Sequence, residues 1–581
     1  MKFNLKLLYR ISFLISLIGL GAIISDFGFS HNDFSQNFLD KFYFFVLGIG
    51  LISTCTRYLK DKKLSKRMAF LFDIFSIGFT MWLYYMYLFV GVPFETDLIL
   101  ENPIWVKIAV LFTFIREFSE LKINFKRTVI NPAQLFILSF LVIIFIGSLL
   151  LVLPNATYEG ISYLDALFTS TSAVCVTGLV VVETGSHFTL FGHTLILILI
   201  QVGGLGILTF ASYFSYFFKG GTTYENQLAL SDLISSKKMG EVFSTLKYII
   251  LITFGIELFS GVLIYATVES SSFNSQSEML FFSAFHSISA FCNAGFSTLN
   301  ESLFDTSFRF NYNLHLVVIF TFGLGGLGFP IVVNILKFLK YKIITLYSSR
   351  KRMKYKPWVL NLNSRITLIT TLSISLVAVI AFYFLEYNNT LADHSGFGKI
   401  VSALFGATTP RTAGFNTIDT ASITFPTLMM IFLLMWIGAS PQSTGGGIKT
   451  STFAIATLNI LSLAKGKSRI EIFRREIADI SVRRAFAIIS LSLVVIGCSI
   501  MLITIFDPEK KLIDVAFESF SAYSTVGLSL GITPHLSNAS KIIIIIVMFV
   551  GRISMLSLVI AVFKKVKHKN YRYPNEEITI N

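Results

Sequence analysis

The feature that most limits what this chain can become is a short glycine-centred phrase that recurs four times between apolar segments. The copies are Val176-Thr177-Gly178-Leu179, Asn293-Ala294-Gly295-Phe296, Thr412-Ala413-Gly414-Phe415 and Thr525-Val526-Gly527-Leu528. Their glycines stand 117, 119 and 113 residues apart. The flanks repeat as well. Ten residues before each glycine stands Phe168, Phe285, Leu404 or Phe517, and six before stands Ser172, Ser289, Thr408 or Ser521. One such glycine is an ordinary turn signal. Four with matching flanks mark an internal repeat, which fixes the architecture before any other reading.

The repeat lies in a membrane protein. Hydrophobic residues make up 54% of the 581 and charged residues 14%, against about a quarter charged in soluble domains. The apolar runs are long enough to cross a bilayer as helices. They are continuous rather than alternating, which excludes a β-barrel. A net charge of +15 suggests nucleic acid in a soluble chain. Here the basic residues fall between apolar runs and mark cytoplasmic loops, so the surroundings are lipid and no nucleic acid partner is expected. Cys55, Cys175, Cys292 and Cys498 form no CxxC pair, which indicates neither a zinc site nor a disulfide framework; Cys175 and Cys292, each three residues before a loop glycine, read as small packing residues. The first apolar run lacks a small-residue cleavage site and reads as a retained helix.

The expected fold is an all-α integral membrane protein. Four helix–pore-loop–helix units surround one central pore, preceded by about four extra transmembrane helices. The expected boundaries are 1–130 for the N-terminal region, then 131–220, 221–340, 341–465 and 466–565 for the units, and 566–581 for a cytoplasmic tail. In the N-terminal region apolar runs lie near 8–26, 42–57, 68–92 and 103–116. Each unit reads as an outer helix, a short helix before the glycine phrase, and an inner helix. The short helices are 164–174, 279–291, 399–409 and 512–523. Some ten residues cannot cross about 30 Å of hydrocarbon, so these helices enter and leave on one side. Such backbone survives at membrane depth only inside protein or lining water. The inner helices are expected at 191–217, 313–338, 425–463 (broken) and 541–563.

Charge sets the orientation. Basic clusters at 337–356, 464–484 and 564–572 place those loops and both termini in the cytoplasm. The glycine phrases then enter from outside, beside Glu159, Asp165, Glu269, Glu278 and Asp419.

Three elements carry chemistry. The glycine phrases suit a cage that turns backbone carbonyls toward a cation and replaces its water shell. Its residues are Val176, Thr177, Gly178, Asn293, Ala294, Gly295, Thr412, Ala413, Gly414, Thr525, Val526 and Gly527. The hydroxyls of Thr412 and Thr525 add oxygens at the inner end, where Val176 and Asn293 make the four strands inequivalent. The second element runs from Gly438 to Gly447 and includes Gly445, Gly446 and Gly447. Its glycines and Pro441 cannot form a helix centre, so it reads as a mobile loop across the pore. Gly203–Gly206 and Gly325–Gly328 lie at comparable places without the polar run, as packing and hinge glycines. The third is Arg552, inside an apolar stretch, where a charge must face a cavity or a partner. Arg411 and Glu518 stand near two of the phrases and are expected to pair.

TSAVCVTGL (171–179), SAFCNAGFS (289–297), TPRTAGFNT (409–417), STVGLSLG (524–531) and GASPQSTGGGIKTST (438–452) resemble the four pore loops and intramembrane loop of the Trk/Ktr/HKT potassium transporter superfamily. The pattern is nearest its bacterial KtrB and TrkH membrane subunits and covers about residues 130–565. The resemblance implies potassium uptake across the cytoplasmic (inner) membrane, with K+ as the transported ion held at the filter carbonyls and no cofactor in this chain. It implies a gate at Gly445–Gly447 with Arg552 beneath the filter, a homodimer, and a cytosolic nucleotide-binding ring subunit of the KtrA/TrkA kind. The 130-residue N-terminal extension is unlike typical KtrB chains.

Enzyme motifs are absent: no HExxH, Walker A or Rossmann fingerprint occurs. Two alternatives stand beside potassium uptake. One is a sodium-preferring relative, which often has Ser at the first filter position where this chain has Gly178. The other is an alternating-access transporter, which needs a mid-membrane carboxylate that the repeat region does not convincingly offer.

Overall fold

The computed structural model describes residues 5–60, 67–90, 103–119, 132–206, 242–347 and 360–553, with Val559. The tail, and the parts of the basic clusters at 348–356 and 564–572, lie outside the described residues. Six described helices are long and apolar enough to cross a bilayer, and a seventh if the bent pair Tyr312–Leu327 and Phe329–Thr345 is one span. Among the described residues the one sheet is a small hairpin pairing Glu471–Ile472 with Arg475–Glu476. The protein is a multi-pass, all-α membrane protein of four repeated units around one axis, with four further helices at the N-terminus.

Each unit has an outer helix: Pro132–Leu151, Val242–Thr267, Leu362–Glu386 and Asp479–Phe506. Each then has a short pore helix: Tyr163–Cys175, Gln276–Cys292, Gly396–Thr408 and Leu512–Ser524. Local chemistry starts two of these. The Ser162 hydroxyl accepts from Asp165 N at 3.1 Å, and Ser275 accepts from Glu278 N at 3.1 Å; such caps satisfy orphan N–H groups of the first turn. The carboxylate of Glu278 accepts in turn from Asn274 N at 3.1 Å. Lys541 of the fourth unit pairs with Asp165 at 2.7 Å and ties that unit to the first.

The inner helices depart from the sequence expectation in one place. The second is not continuous over 313–338: it ends at Leu327, restarts at Phe329 and turns by 106°. Gly328 makes the corner with φ +83°, and a Cβ there would stand 2.6 Å from the Pro441 carbonyl oxygen. The polar loop of the third unit passes through this corner, with Ser440 N donating to Gly326 O at 3.0 Å. Only glycine combines that backbone hand with that close approach. The third inner helix is broken as expected, into Phe425–Trp436 and Thr450–Ala464. The first runs over Leu190–Leu205 and the fourth over Asn538–Ile553; their expected continuations lie outside the described residues.

Inner and pore helices meet at glycine. A Cβ on Gly203, Gly325 or Gly551 would stand 2.0, 1.9 or 1.9 Å from the carbonyl oxygen of Val174, Phe291 or Tyr523. Each of those carbonyls lies four residues before its unit's loop glycine. Backbone therefore packs on backbone in three units, as small residues allow within membranes. In the third unit the polar loop occupies this place.

The N-terminal helices Leu5–Gly28, Asp33–Lys60, Arg67–Tyr85 and Ile104–Ser119 form a bundle. Its interior carries Lys107–Asp26 at 2.9 Å, Arg116–Asp73 at 2.5 Å and Arg57–Glu117, pairs that make charge tolerable at this depth. It docks on the outer loop of the first unit. Asn155 donates to Phe27 O at 3.2 Å, and Phe27 stacks on Phe191 with centroids 5.8 Å apart.

Candidate functional site

The four glycine phrases meet in a closed ring. A Cβ on Gly178 would stand 2.4 Å from the carbonyl oxygen of Ala294 in the next unit. One on Gly295 would stand 3.0 Å from Ala413 O, one on Gly414 2.3 Å from Val526 O, and one on Gly527 2.4 Å from Thr177 O. Each unit's glycine thus faces the carbonyl that precedes the glycine of the following unit, and the fourth returns to the first.

The backbone that builds this ring is held in an uncommon hand. Two residues before each glycine, Val176, Asn293, Thr412 and Thr525 have φ of 57°, 59°, 73° and 50°, and the glycines themselves have φ of 69° to 94°. After the first pore helix, Val176 N donates to Ala173 O at 3.1 Å and Thr177 N to Ser172 O at 2.8 Å, a Schellman ending. The second and fourth units repeat it at Asn293 and Thr525. That position is ordinarily glycine. A side chain there costs about 1–2 kcal/mol, and strain of this kind collects at functional sites. The Ser172 hydroxyl then accepts from Gly178 N, and Ser521 from Gly527 N, both at 3.1 Å.

The third unit slips by one residue. Thr409, not Thr408, does the work of Ser289: its hydroxyl donates to Phe415 O at 2.7 Å, as that of Ser289 does to Phe296 O at 2.7 Å. Phe405, not Leu404, is the fully buried counterpart of Phe168, Phe285 and Phe517. Matching by distance from the glycine hides this shift, because the third loop is one residue shorter.

Outside the ring lies a cup of about 560 Å³, lined by all four glycines and by Glu183, Glu301 and Asp419. Of the five carboxylates expected at the mouth, Asp419 alone lines it. Asp165 is paired with Lys541, and Glu278 caps its helix. Glu183 and Glu301 follow the loops in sequence and went unnoticed there.

Inside the ring the hydroxyls of Thr412 and Thr525 are buried with no hydrogen-bond partner. The polar loop, residues 437–449, lies directly beneath. A Cβ on Gly445 would stand 2.1 Å from Thr412 Oγ1, and one on Gly446 2.2 Å from Thr525 Oγ1. Thr444 donates to Asn293 Oδ1 at 2.8 Å. Gly447, with φ +66°, packs on Gly438. Two cations fasten the loop. Arg552 donates to Thr444 O and, at 2.7 Å, to Gly203 O. Lys449 donates to Gly445 O and Gly446 O. The sequence reading singled out Arg552 and missed Lys449, which stands two residues past the three glycines.

Two further expectations are corrected. Arg411 does not pair with Glu518. Its guanidinium donates to Ser375 Oγ at 3.1 Å and reaches Gly438 O at 3.5 Å. Glu518 accepts from the hydroxyls of Ser529 and Thr533, at 2.5 and 2.8 Å, and from Leu530 N, bracing the segment after the fourth loop. The repeat region also does hold a mid-membrane carboxylate: Glu257, buried in the second outer helix, accepts from Gln201 Nε2 at 3.0 and 3.2 Å.

A closed ring of carbonyls at the end of four re-entrant helices, above a loop pinned by basic side chains, is an arrangement for passing a cation. Residues 104–573 match the TrkH family, described as "Cation transport protein". The chain belongs to the TrkH family. Among its relatives, Ktr system potassium uptake protein B of Bacillus subtilis is 36% identical over 450 residues, 77% of this chain and 96% of that protein. The potassium/sodium uptake protein NtpJ of Enterococcus hirae is 34% identical over 459 residues, 78% of this chain and 97% of that protein. The crystal structure of the potassium transporter TrkH from Vibrio parahaemolyticus shares the fold, with a TM-score of 0.58 at 18% identity, over 85% of this chain and 97% of that one. The family match starts at residue 104, so most of the N-terminal bundle precedes it.

Proposed function

We propose that this TrkH-family chain is the membrane subunit of a potassium uptake system, and that its four glycine loops are the selectivity filter. The closed contact of each glycine with the next unit's carbonyl carries this reading. Potassium gathers in the acidic cup, where clustered negative charge raises local cation concentration. It sheds water against the carbonyls of Val176, Thr177 and Gly178 and their counterparts Asn293, Ala294, Gly295, Thr412, Ala413, Gly414, Thr525, Val526 and Gly527. The unpartnered hydroxyls of Thr412 and Thr525 supply oxygens at the inner end. No bond is made or broken. Below, Gly445, Gly446 and Gly447 close the path as a gate, and Arg552 holds them.

On this reading the units are 131–220, 221–340, 341–465 and 466–565, with the third inner helix interrupted by the gate. The protein sits in the cytoplasmic membrane with both termini inside. It works as a homodimer on a cytosolic ring of nucleotide-binding subunits, which docks on the basic loops and displaces the gate. The test is isotope flux into proteoliposomes with potassium, rubidium and sodium in competition. Preference for potassium supports the reading. Equal uptake of sodium, as the name of the E. hirae relative would suggest, moves the assignment to a mixed cation pathway.

A further inference from the structure

Glu257 stands in the apolar helix Val242–Thr267 with 5% of its surface exposed. A carboxylate at such depth is costly and marks function by default. Among the described residues its one side-chain partner is the amide of Gln201. Other titratable groups on the packed elements make their contacts elsewhere, His315 by ring packing alone, its nitrogens being without a hydrogen-bond partner among the described residues. His286 has its nitrogens 2.9 Å from Phe282 O and Ser297 Oγ, and His193 lies 2.7 Å from Thr184 O. His315 packs edge-on against Tyr312 and Phe405. Lys337, Lys340 and Lys342 stand beyond the corner at Gly328. On its own helix Lys247 is ten residues, or about 15 Å, away. The exception is Cys292, whose Sγ lies 3.9 Å from Gln201 Oε1.

The geometry points to Glu257 as a proton-binding site whose state Gln201 passes to the second glycine loop and the polar loop beneath it. An ionised carboxylate only accepts, and takes the amide NH2 of Gln201; Oε1 then faces Cys292. A carboxyl that has taken one proton from water is itself a donor. Its best partner is the amide oxygen, so the amide turns over and presents NH2 to Cys292. Nothing else is gained or lost. Cys292 ends the second pore helix and precedes Asn293, the acceptor of Thr444. The helix turn that carries Gln201 also holds Gly204 against Cys292 and offers Gly203 O to Arg552. One amide reversal is thus felt by the polar loop from both sides.

The test is rubidium flux into proteoliposomes with equal pH on both sides, from about pH 5.5 to about pH 8.5, alongside infrared difference spectra of the carboxyl stretch. Wild-type flux is expected to change about fivefold, the ratio one hydrogen bond of ordinary net strength sets, with the steepness of a single proton. Glu257→Gln, an isostere of the protonated acid, holds flux at the acid-limb value at every pH and loses the carboxyl band. Gln201→Leu keeps a carboxyl band but loses the pH dependence. Glu257→Asp withdraws the carboxyl by one methylene and moves the midpoint, which serves if Glu257→Gln does not reach the membrane. A Glu257→Gln profile that tracks wild type, an unmoved midpoint in Glu257→Asp, or a wild-type spectrum without a Glu257-dependent band overturns the inference. The infrared measurement needs no flux, so it separates failure of this site from failure of the transport reading on which it rests.

Discussion

Arg552 Nη2 donates to the carbonyl oxygen of Gly203 at 2.7 Å, joining the last inner helix to the first across 349 positions of sequence. Its other terminal nitrogen donates to Thr444 O. One side chain therefore ties the first and last inner helices to the loop that lies under the ring.

Replacing Arg552 with Ala frees the loop on one side and removes a positive charge from the proposed path under the ring. Rubidium uptake at equal surface expression is expected to rise severalfold, with the preference for potassium unchanged, because the ring itself is untouched. Arg552→Lys should fall between, since it keeps the charge but not the two-armed donor. Uptake no faster than wild type would make this arginine a structural brace.

Deleting Gly445 to Gly447 removes the segment that packs on Thr412 and Thr525. Basal flux without any partner subunit should increase. A well-folded deletion protein with unchanged or lower flux would rule out the gate.

Gly178→Ala or Gly178→Ser places a carbon 2.4 Å from Ala294 O. That neighbour is backbone, so the ring must open to admit it. Discrimination of potassium from sodium should fall by about tenfold or more, the equivalent of about 1.4 kcal/mol. Competition flux measures it, and a ratio equal to wild type would show that Gly178 lies off the ion path.

Glu518→Ala strands the donors of Ser529, Leu530 and Thr533. A loss of about 2 kcal/mol is expected from leaving such groups unpaired, read as a lower thermal midpoint in detergent. Arg411→Ala should leave that brace intact, since the two residues do not meet. Coupling between them in a double-mutant cycle would contradict the geometry.

The units were legible because apolar runs and glycine spacing are local properties of the chain. The pore helices fall within a few residues of where the pattern puts them. What the pattern hid has physical reasons. The corner at Gly328 exists because Pro441 passes it, a contact between residues more than a hundred positions apart. Arg411 and Glu518 looked like partners because opposite charges near one site suggest a pair. Arg411 bonds instead to a hydroxyl and carbonyls, and Glu518 to hydroxyls and a backbone N–H, groups that carry no charge signal. Glu257 was passed over as one acid in an apolar run, and only Gln201 from another unit gives it context. The one-residue slip at Thr409 follows from loop length, which a count back from glycine cannot detect.

The contacts that close the ring run one way. Gly178 leans on the second unit, Gly295 on the third, Gly414 on the fourth and Gly527 on the first. The circle therefore has a sense of rotation, although its members are four different stretches of one chain. A bulky change in one quarter presses first on the carbonyl of its successor, although at Gly414 it also comes within 3.1 Å of the Gly295 Cα of its predecessor. Gly527→Ala should disturb the carbonyl of Thr177 while leaving that of Ala413 in place. An assembly of identical subunits alters every quarter at once. This chain can vary one quarter alone, and the damage has a direction.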